Sequence, residues 1–200
     1  MNAQFGWSNW SGSVKANPAT IARPSTAEEL ADLVRSGPAP LRIVGAGHSF
    51  TPLVASSGTI VDLAALSGLV SHDESQSTAT VGAGTTLDDL CRLLQGVGQG
   101  LPNMGDIDKQ TIGGALGTAT HGTGPELGAY HTQLRQMRLI DGKGEERVFT
   151  EGKDSEMIRA SGVALGAFGA LTEVTMQNIP AYRLHKRRSI MPIGDMLDDF

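Results

Sequence analysis

The sequence predicts a globular fold that mixes α-helices with β-strands and begins with a β-α-β unit. Two observations predict it: a capped helical stretch lies between short strand-like runs near the N-terminus, and alternating apolar residues mark further strands towards the C-terminus. The 200 residues suffice for one large domain, or for one domain and part of a second. With 40% hydrophobic residues, the chain can build a sizeable core.

The first helix is predicted by its capping residues. Ser25 and Thr26 each stand three residues before a glutamate, which is the pattern of two overlapping capping boxes, and apolar residues at helical spacing follow until Gly37 and Pro38. Strand-like runs flank this helix at 21–23, 41–44 and 59–63. Together they predict the β-α-β unit.

Further strands and helices are predicted by the same criteria. Alternation and apolar runs place the strands at 78–84, 134–140, 146–150 and 171–176. A cap formed by Thr86 and Asp89 begins a second helix, and an amphipathic pattern at 193–200 predicts a last one. Asp141-Gly142 indicates a hairpin between two of the strands.

Composition and charge exclude several classes of protein. Charged residues make up 18% of the chain and the formal net charge is -5, which fits neither a disordered chain nor a basic nucleic-acid binder. Residues 1–10 lack the pattern of a secretory signal, and the stretch 163–171 is too short to span a bilayer. We therefore expect a cytoplasmic chain without a transmembrane segment or a nucleic-acid partner. Cys91 lies on an apolar helical stripe and is expected to pack in the core.

Glycine is the most unusual feature of the composition. The chain has 26 glycines, and 16 of them lie between Gly45 and Gly128. Such clusters indicate positive φ angles or a close approach of the backbone to a ligand, although tight turns in a β-rich fold would also use them. The glycine-rich stretch 96–128 fits loops and a short helix, and loops of that length are usually functional.

The loop Gly45-Ala46-Gly47-His48-Ser49-Phe50 follows a predicted strand and is a candidate phosphate cradle. It is not the dinucleotide fingerprint, because Phe50 stands where a small residue is required. The sequence contains neither a P-loop nor a Gly-x-Ser-x-Gly nucleophile motif. His48 would point at whatever the backbone cradles, or else bond to a neighbouring carbonyl.

A second candidate region combines 101–106 with 113–124. Small residues recur there so densely that a large flat group or a phosphate chain should fill the space, although a glycine-lined structural turn is the alternative. Hydroxyl groups of Thr111, Thr118 and Thr120 would supply neutral donors to a pyrophosphate. The five histidines show no i,i+4 pair, so no metal site is predicted.

Four blocks, in order along the chain, carry a resemblance to a known family. They are 22–33, 44–50, 106–124 and 165–175, the last containing Leu165-Gly166-Ala167-Phe168-Gly169-Ala170-Leu171. The ordered set resembles the vanillyl-alcohol oxidase family of flavoproteins, and within it the aldonolactone oxidase and alditol oxidase branch. The resemblance covers residues 8–180.

The resemblance implies an α+β FAD-binding domain of two subdomains, with the cofactor extended between them. It places a small β-α-β subdomain at 1–75, a larger subdomain at 76–180, and the start of a truncated or absent substrate domain at 181–200. His48 matches the position that is bonded through its imidazole to the flavin 8α-methyl group. The implied cofactor-binding residues are Gly45, Ala46, Gly47, His48, Ser49, Phe50, Gly105, Asp106, Thr111, Gly113, Gly114, Gly117, Thr118, Thr120, His121, Gly122, Gly169 and Leu171.

The implied activity is hydride transfer to flavin N5 from the carbinol carbon of a sugar lactone, of the gulono- or arabinono-1,4-lactone type, or of a related polyol. Gly105 matches a position where a small residue admits oxygen, which favours molecular oxygen as acceptor. Asp106 stands where alditol oxidases tend to have serine, which argues against a preference for polyol substrates. The alternatives are a flavin-binding domain or partner subunit without turnover of its own, and an NADPH-dependent peptidoglycan-precursor reductase, against which His48 argues.

Overall fold

A computed structural model describes residues 6–198 of the chain. Its strands are β1 (Trp7–Ser8), β2 (Lys15–Ala16), β3 (Thr20–Ala22), β4 (Leu41–Val44), β5 (Thr59–Asp62), β6 (Leu69–Asp73), β7 (Thr78–Gly82), β8 (Gln99–Gly100), β9 (Leu134–Ile140), β10 (Glu146–Thr150), β11 (Ala170–Gln177) and β12 (Ile179–Pro180). Its helices are α1 (Ala27–Ser36), α2 (Leu87–Gly96), α3 (Ile112–Gly117), α4 (Ser155–Ser161) and α5 (Ile193–Asp198), with 3₁₀ turns at Pro52–Val54 and Tyr130–Gln133.

The predicted β-α-β unit is confirmed. Strands β3, β5 and β4 form a parallel sheet in that order, and α1 connects β3 to β4. Of the two predicted capping boxes, the one between Thr26 and Glu29 is formed in part: the Glu29 N–H donates to Thr26 Oγ1 at 3.1 Å. The Glu29 carboxylate reaches back one residue further than the pattern predicts, to Ser25, whose N–H donates to Oε2 at 2.7 Å. The helix ends at Gly37, whose N–H donates to the Leu33 carbonyl.

Alternation along β5 divides the parallel sheet into two faces. Val61 points to the side of α1, where it packs with Leu30 and Ala31. Ile60 points to the opposite side and packs with Val44. The first face is therefore covered by a helix, and the second is covered by residues of β1, β2 and the segment 54–55.

The larger sheet is antiparallel, with the strand order β10-β9-β11-β7-β6. Its core residues come from both the strands and the helices α2 and α3: Val81, Leu87, Leu90, Leu94, Ile112, Leu116, Met137, Val174 and Met176. Cys91 is partly buried and packs against this cluster, which confirms its predicted place in the core.

The predicted hairpin β9–β10 is confirmed, but its turn differs from the expected one. Ile140 pairs with Glu146, so the connection is the five residues 141–145. The positive φ of +75° belongs to Gly144 and not to Gly142. Asp141 holds this longer loop by accepting the N–H groups of Lys143 and Glu145 on its carboxylate.

Other segments depart from the predictions. The strand β6 was not predicted because it is an edge strand with four exposed residues and shows no apolar alternation. It pairs with β7, so the chain passes from the parallel to the antiparallel sheet at 63–68. The terminal helix α5 ends at Asp198 in the described part, and Phe200 lies outside the described residues.

No helix among residues 6–198 combines the length and the apolar character needed to cross a membrane.

Candidate functional site

A cleft of about 460 Å³ opens at the carboxyl ends of the three parallel strands. Three of its lining residues follow the ends of these strands: Arg23 comes directly after β3, Gly45 directly after β4, and Ala64 two residues after β5. Its floor is formed by Ile60 and Asp62, which project from β5 on the side of the sheet away from α1. Ligands of parallel sheets bind at this edge, and the volume lies within the usual range for small-molecule sites.

The loop 45–51 forms one wall of the cleft and touches α3 on the other side. A Cβ built on Gly45 would overlap Thr111 Oγ1, so only glycine fits at that point. Gly47 has φ +68°, a conformation that favours glycine. The predicted glycines 45 and 47 therefore serve close approach and a left-handed turn, and with Ala46 and Thr111 they line the cleft.

Four consecutive amides in this loop have no hydrogen-bond partner among the described residues. In the part of the chain that the structure describes, the N–H groups of Ala46, Gly47, His48 and Ser49 donate to no protein acceptor. Buried backbone donors are almost always paired, but those of a partly exposed loop can be paired by a bound anion. The loop therefore has four backbone donors, those of residues 46–49, that an anion could pair.

His48 is partly buried and is held against the N-terminal hairpin formed by β1 and β2. Its imidazole stacks on the indole of Trp10, with ring centroids 5.3 Å apart. The Trp10 N–H donates to the Gly47 carbonyl at 2.8 Å, and Asn9 Nδ2 donates to the Ser49 carbonyl at 3.0 Å. Next to His48, Ser49 and Phe50 are exposed.

The glycines of α3 have a different role from those of the loop. The N–H of Ile112 donates to the Thr85 carbonyl, that of Gly113 to the Ala83 carbonyl, and that of Gly114 to Thr111 Oγ1. A Cβ on Gly113 would lie only 3.0 Å from the Ala83 oxygen. These small residues let α3 pack on the segment between β7 and α2, and their amides are already paired.

A second surface is built from 103–106 and 118–122. Gly105 lies against the His121 carbonyl, and its N–H donates to the Tyr130 hydroxyl at 3.4 Å. Burial of Tyr130 raises the pKa of its phenol, so the hydroxyl stays neutral and can accept this bond. A Cβ on Gly122 would overlap Asn103 Oδ1 and the Met104 carbonyl, which explains the glycine there.

Hydroxyl groups connect this surface to α3. Thr118 Oγ1 donates to the Gly114 carbonyl at 2.9 Å and lies 3.1 Å from Thr120 Oγ1, which also accepts from Gln110. The His121 ring is exposed and bonds the Gly122 carbonyl through Nδ1 at 2.7 Å. Asp106 is also exposed.

The last predicted block lies beside the C-terminal end of α3. Leu165 is the neighbour of Gly117, whose Cβ would lie 3.9 Å from the Leu165 Cα. Gly169 has φ +138°, and a Cβ there would overlap the Ile140 carbonyl. The Leu171 side chain packs against the core, which leaves only its backbone for a ligand.

The structure thus brings part of the predicted set together at the cleft and leaves the rest beside it. Gly45, Ala46, Gly47 and Thr111 line that cleft. Among the described residues, the rest of the predicted set does not line it: His48, Ser49, Phe50, Gly105, Asp106, Gly113, Gly114, Gly117, Thr118, Thr120, His121, Gly122, Gly169 and Leu171. Sequence reasoning missed the lining residues Trp7, Ser8, Arg23, Asp62, Gly84 and Thr86. Gly84 ends a predicted strand, Thr86 belongs to a predicted helix cap and Arg23 lies in the block 22–33, but none of these patterns pointed to a ligand site.

Comparison with known proteins identifies one family. A family described as FAD binding domain matches residues 18–150. The chain is 36% identical over 200 residues to an L-gulono-1,4-lactone dehydrogenase of Mycobacterium tuberculosis, covering 97% of this chain and 46% of that protein. It is 30% identical to a D-arabinono-1,4-lactone oxidase of Eremothecium gossypii, covering 96% of this chain and 37% of the relative. An L-gulonolactone oxidase of Scyliorhinus torazame is 29% identical, and 46% of its length is covered.

Among solved structures, a cholesterol oxidase from B. sterolicum shares the fold. The TM-score is 0.74 at 23% sequence identity, and the match covers 87% of this chain and 36% of that one. At this identity the likeness concerns the fold alone. The chain spans less than half the length of the curated relatives named above.

Proposed function

Because the chain belongs to the FAD binding domain family, we propose that it is the cofactor-binding part of an oxidoreductase that acts on a sugar lactone. Residues 1–180 would form the FAD-binding domain, and 181–200 would begin the substrate domain. The unpaired amides of the loop 45–51 are the observation that carries the proposal.

The residues present fit FAD. The unpaired N–H groups of 46–49 suit the oxygens of a pyrophosphate, and they need no lysine or arginine to do so. The absent side chain at Gly45 lets the loop pack directly against Thr111, which also lines the cleft. Arg23 is the cationic residue that lines the cleft, and it is already paired with Asp62 at 3.0 Å.

His48 is the candidate for a covalent link to the cofactor. The bond would join an imidazole nitrogen of His48 to the flavin 8α-methyl carbon. One methyl hydrogen and the imidazole N–H are then lost as two protons, and the two released electrons pass through the flavin ring to molecular oxygen, which becomes hydrogen peroxide. His48 suits this role because its loop also supplies the unpaired amides, so cofactor and imidazole would be held by the same few residues.

The substrate proposal follows the relatives, whose names specify gulono- and arabinono-lactones. When bound, FAD supplies a hydride acceptor for a carbinol carbon, and the protein supplies position and electrostatics. In this chain Gly105 and Asp106 would lie near the reacting group. The relatives include a dehydrogenase as well as oxidases, and Gly105 favours oxygen as the acceptor here.

The covalent link is tested by acid denaturation of the FAD-loaded chain. We expect the yellow flavin to precipitate with the polypeptide of the wild-type chain and to stay in solution with the His48→Ala variant. His72→Ala is the matched control, because His72 is exposed on the edge strand β6 far from the unpaired amides in sequence. Flavin released from the wild-type chain would contradict the covalent link.

The second candidate function is a flavin-binding domain without turnover of its own. Its supporting observation is that residues 181–198 are exposed along their whole length. Gulono-1,4-lactone, arabinono-1,4-lactone or xylitol, added without oxygen, should bleach the flavin absorbance if the chain holds a competent substrate site. An unchanged spectrum with all three would favour the binding domain.

A further inference from the structure

The contact between Trp10 and His48 is unusual because neither ring lies in a core. Trp10 is 69% exposed, yet its indole lies against the imidazole at a centroid distance of 5.3 Å and an interplanar angle of 20°. Aromatic rings at this separation attract each other in an offset stack. A stacked indole covers a face of the imidazole and leaves its in-plane nitrogen lone pairs uncovered.

The backbone on both sides of His48 is fixed by the same hairpin. The Trp10 N–H bonds the carbonyl of Gly47, the residue before His48, and Asn9 Nδ2 bonds the carbonyl of Ser49, the residue after it. Gly47 also brings its backbone close to Asn9, since a Cβ there would lie 3.5 Å from the Asn9 Cα. The hairpin therefore holds the peptide units around His48 as well as its ring.

Asn9 is itself held firmly. It is 4% exposed, its Oδ1 accepts the Val14 N–H at 2.9 Å, and the hydroxyls of Ser11 and Ser13 share the two hydrogens of its Nδ2 with the Ser49 carbonyl. Such a satisfied buried amide has little freedom to move. The turn that carries Trp10 is thus a rigid support, although Trp10 itself is at the surface.

We propose that Trp10 is a positioning residue that orients the His48 imidazole for bond formation with the flavin methyl carbon. This inference rests on the covalent link proposed above. The reacting nitrogen must approach the carbon in one direction, and free rotation of the partly buried His48 side chain would make that orientation rare. Stacking on Trp10 restricts the imidazole plane while leaving the nitrogen atoms accessible.

The test follows flavin attachment over time in apoprotein mixed with FAD. Acid-stable flavin fluorescence should appear about 3- to 10-fold more slowly in Trp10→Leu, because the stacking attraction is lost. Trp10→Phe keeps an aromatic face and should stay within about twofold of the wild-type rate. Val70→Ala is the control, since Val70 is also an exposed apolar residue but lies on the edge strand β6.

A second readout needs no flavin. In the wild-type apoprotein, the ring current of the indole should shift the carbon-bound ring protons of His48 upfield in NMR spectra, and Trp10→Leu should abolish the shift while Trp10→Phe keeps part of it. Attachment at the wild-type rate in Trp10→Leu would overturn the positioning role and leave the covalent link standing. Absence of acid-stable flavin in the wild-type chain would overturn both proposals.

Discussion

Gly45 and Thr111 meet where the loop after β4 touches α3, and a side chain at residue 45 would overlap the Thr111 hydroxyl oxygen. That oxygen also accepts the Gly114 N–H at 3.3 Å and so caps α3. Because the hydroxyl is held by its own helix, it cannot swing away without loss of the cap. The pair therefore sets how closely the loop 45–51 approaches the facing wall of the cleft.

The first prediction concerns this contact. Gly45→Ala should lower the free energy of unfolding by about 1–3 kcal/mol, because overpacking forces the loop or the helix cap to shift. It should also weaken FAD binding, because a shift of the loop at residue 45 would displace the unpaired amides of the next residues, 46–49. Urea denaturation measures the first effect, and titration with FAD measures the second.

Two further variants test whether the overlap with Thr111 causes the loss of stability. Thr111→Ala removes the oxygen and leaves its Cβ 3.6 Å from the new methyl group, so the double variant should lose less stability than the sum of the two single losses. Gly142→Ala is the matched control, because a Cβ there meets nothing within 4 Å. Strictly additive losses in the double variant would show that the overlap is not the cause.

The second prediction concerns Asn9. Asn9→Ala removes the acceptor of the Val14 N–H and the donor to the Ser49 carbonyl, and should lower the free energy of unfolding by about 1–3 kcal/mol. Ser11→Ala should cost less, because Asn9 Nδ2 keeps its bonds to Ser13 and Ser49. Thermal unfolding of the three proteins gives the comparison. Equal midpoints for wild type and Asn9→Ala would contradict the role of this amide.

The third prediction concerns Tyr130 and pH. Burial raises the pKa of Tyr130 in the folded chain, whereas the unfolded chain ionises near pH 10. Its contribution to stability is therefore fully present below about pH 10 and is lost as the pH rises through the folded pKa. Tyr130→Phe removes this contribution, so denaturation between about pH 9 and 12 should show a smaller loss of stability in the variant. A loss as large as that of the wild type would exclude Tyr130 as its source.

Local signals predicted much of the fold. The caps at Thr26 and Thr86 depend on residues three positions away, and both helices begin where the sequence places them. The strand β6 escaped prediction because its partner β7, and not an apolar face of its own, holds it in place. The backbone hydrogen bonds between β6 and β7 hold this strand, and the order of its side chains does not predict such bonds.

The candidate site shows a similar limit. The glycines of the loop 45–51 and of α3 look alike in the sequence, yet the amides of Ile112 and Gly113 are used inside the protein whereas those of 46–49 have no acceptor among the described residues. The amides of Ile112 and Gly113 are paired because the carbonyls of Thr85 and Ala83, which are far away in the sequence, accept their hydrogen bonds. Trp10 and Asn9 likewise act on a loop some forty residues away, as the separation of Asn9 and Ser49 shows, and no motif marks them.

The neighbours of Gly105 determine whether a larger residue fits at this position without loss of stability. A Cβ at this position would lie 3.2 Å from the His121 carbonyl oxygen and 3.6 Å from Thr120 Cγ2. Such a contact requires a shift of only a few tenths of an ångström, and Gly105 does not have a positive φ. Alanine should therefore fit here with little loss of stability, in contrast to Gly45.

The fourth prediction follows from this fit. If Gly105 admits oxygen to the flavin, Gly105→Ala should slow reoxidation of the photoreduced, FAD-loaded chain by oxygen about tenfold or more, because the added methyl group narrows the approach. Stopped-flow absorbance measures the rate, and an unchanged rate with an artificial electron acceptor shows that the flavin itself is intact. Gly142→Ala serves as the control, since its methyl group points into open space. Equal oxygen rates in wild type and Gly105→Ala would remove residue 105 from any role in the choice of acceptor.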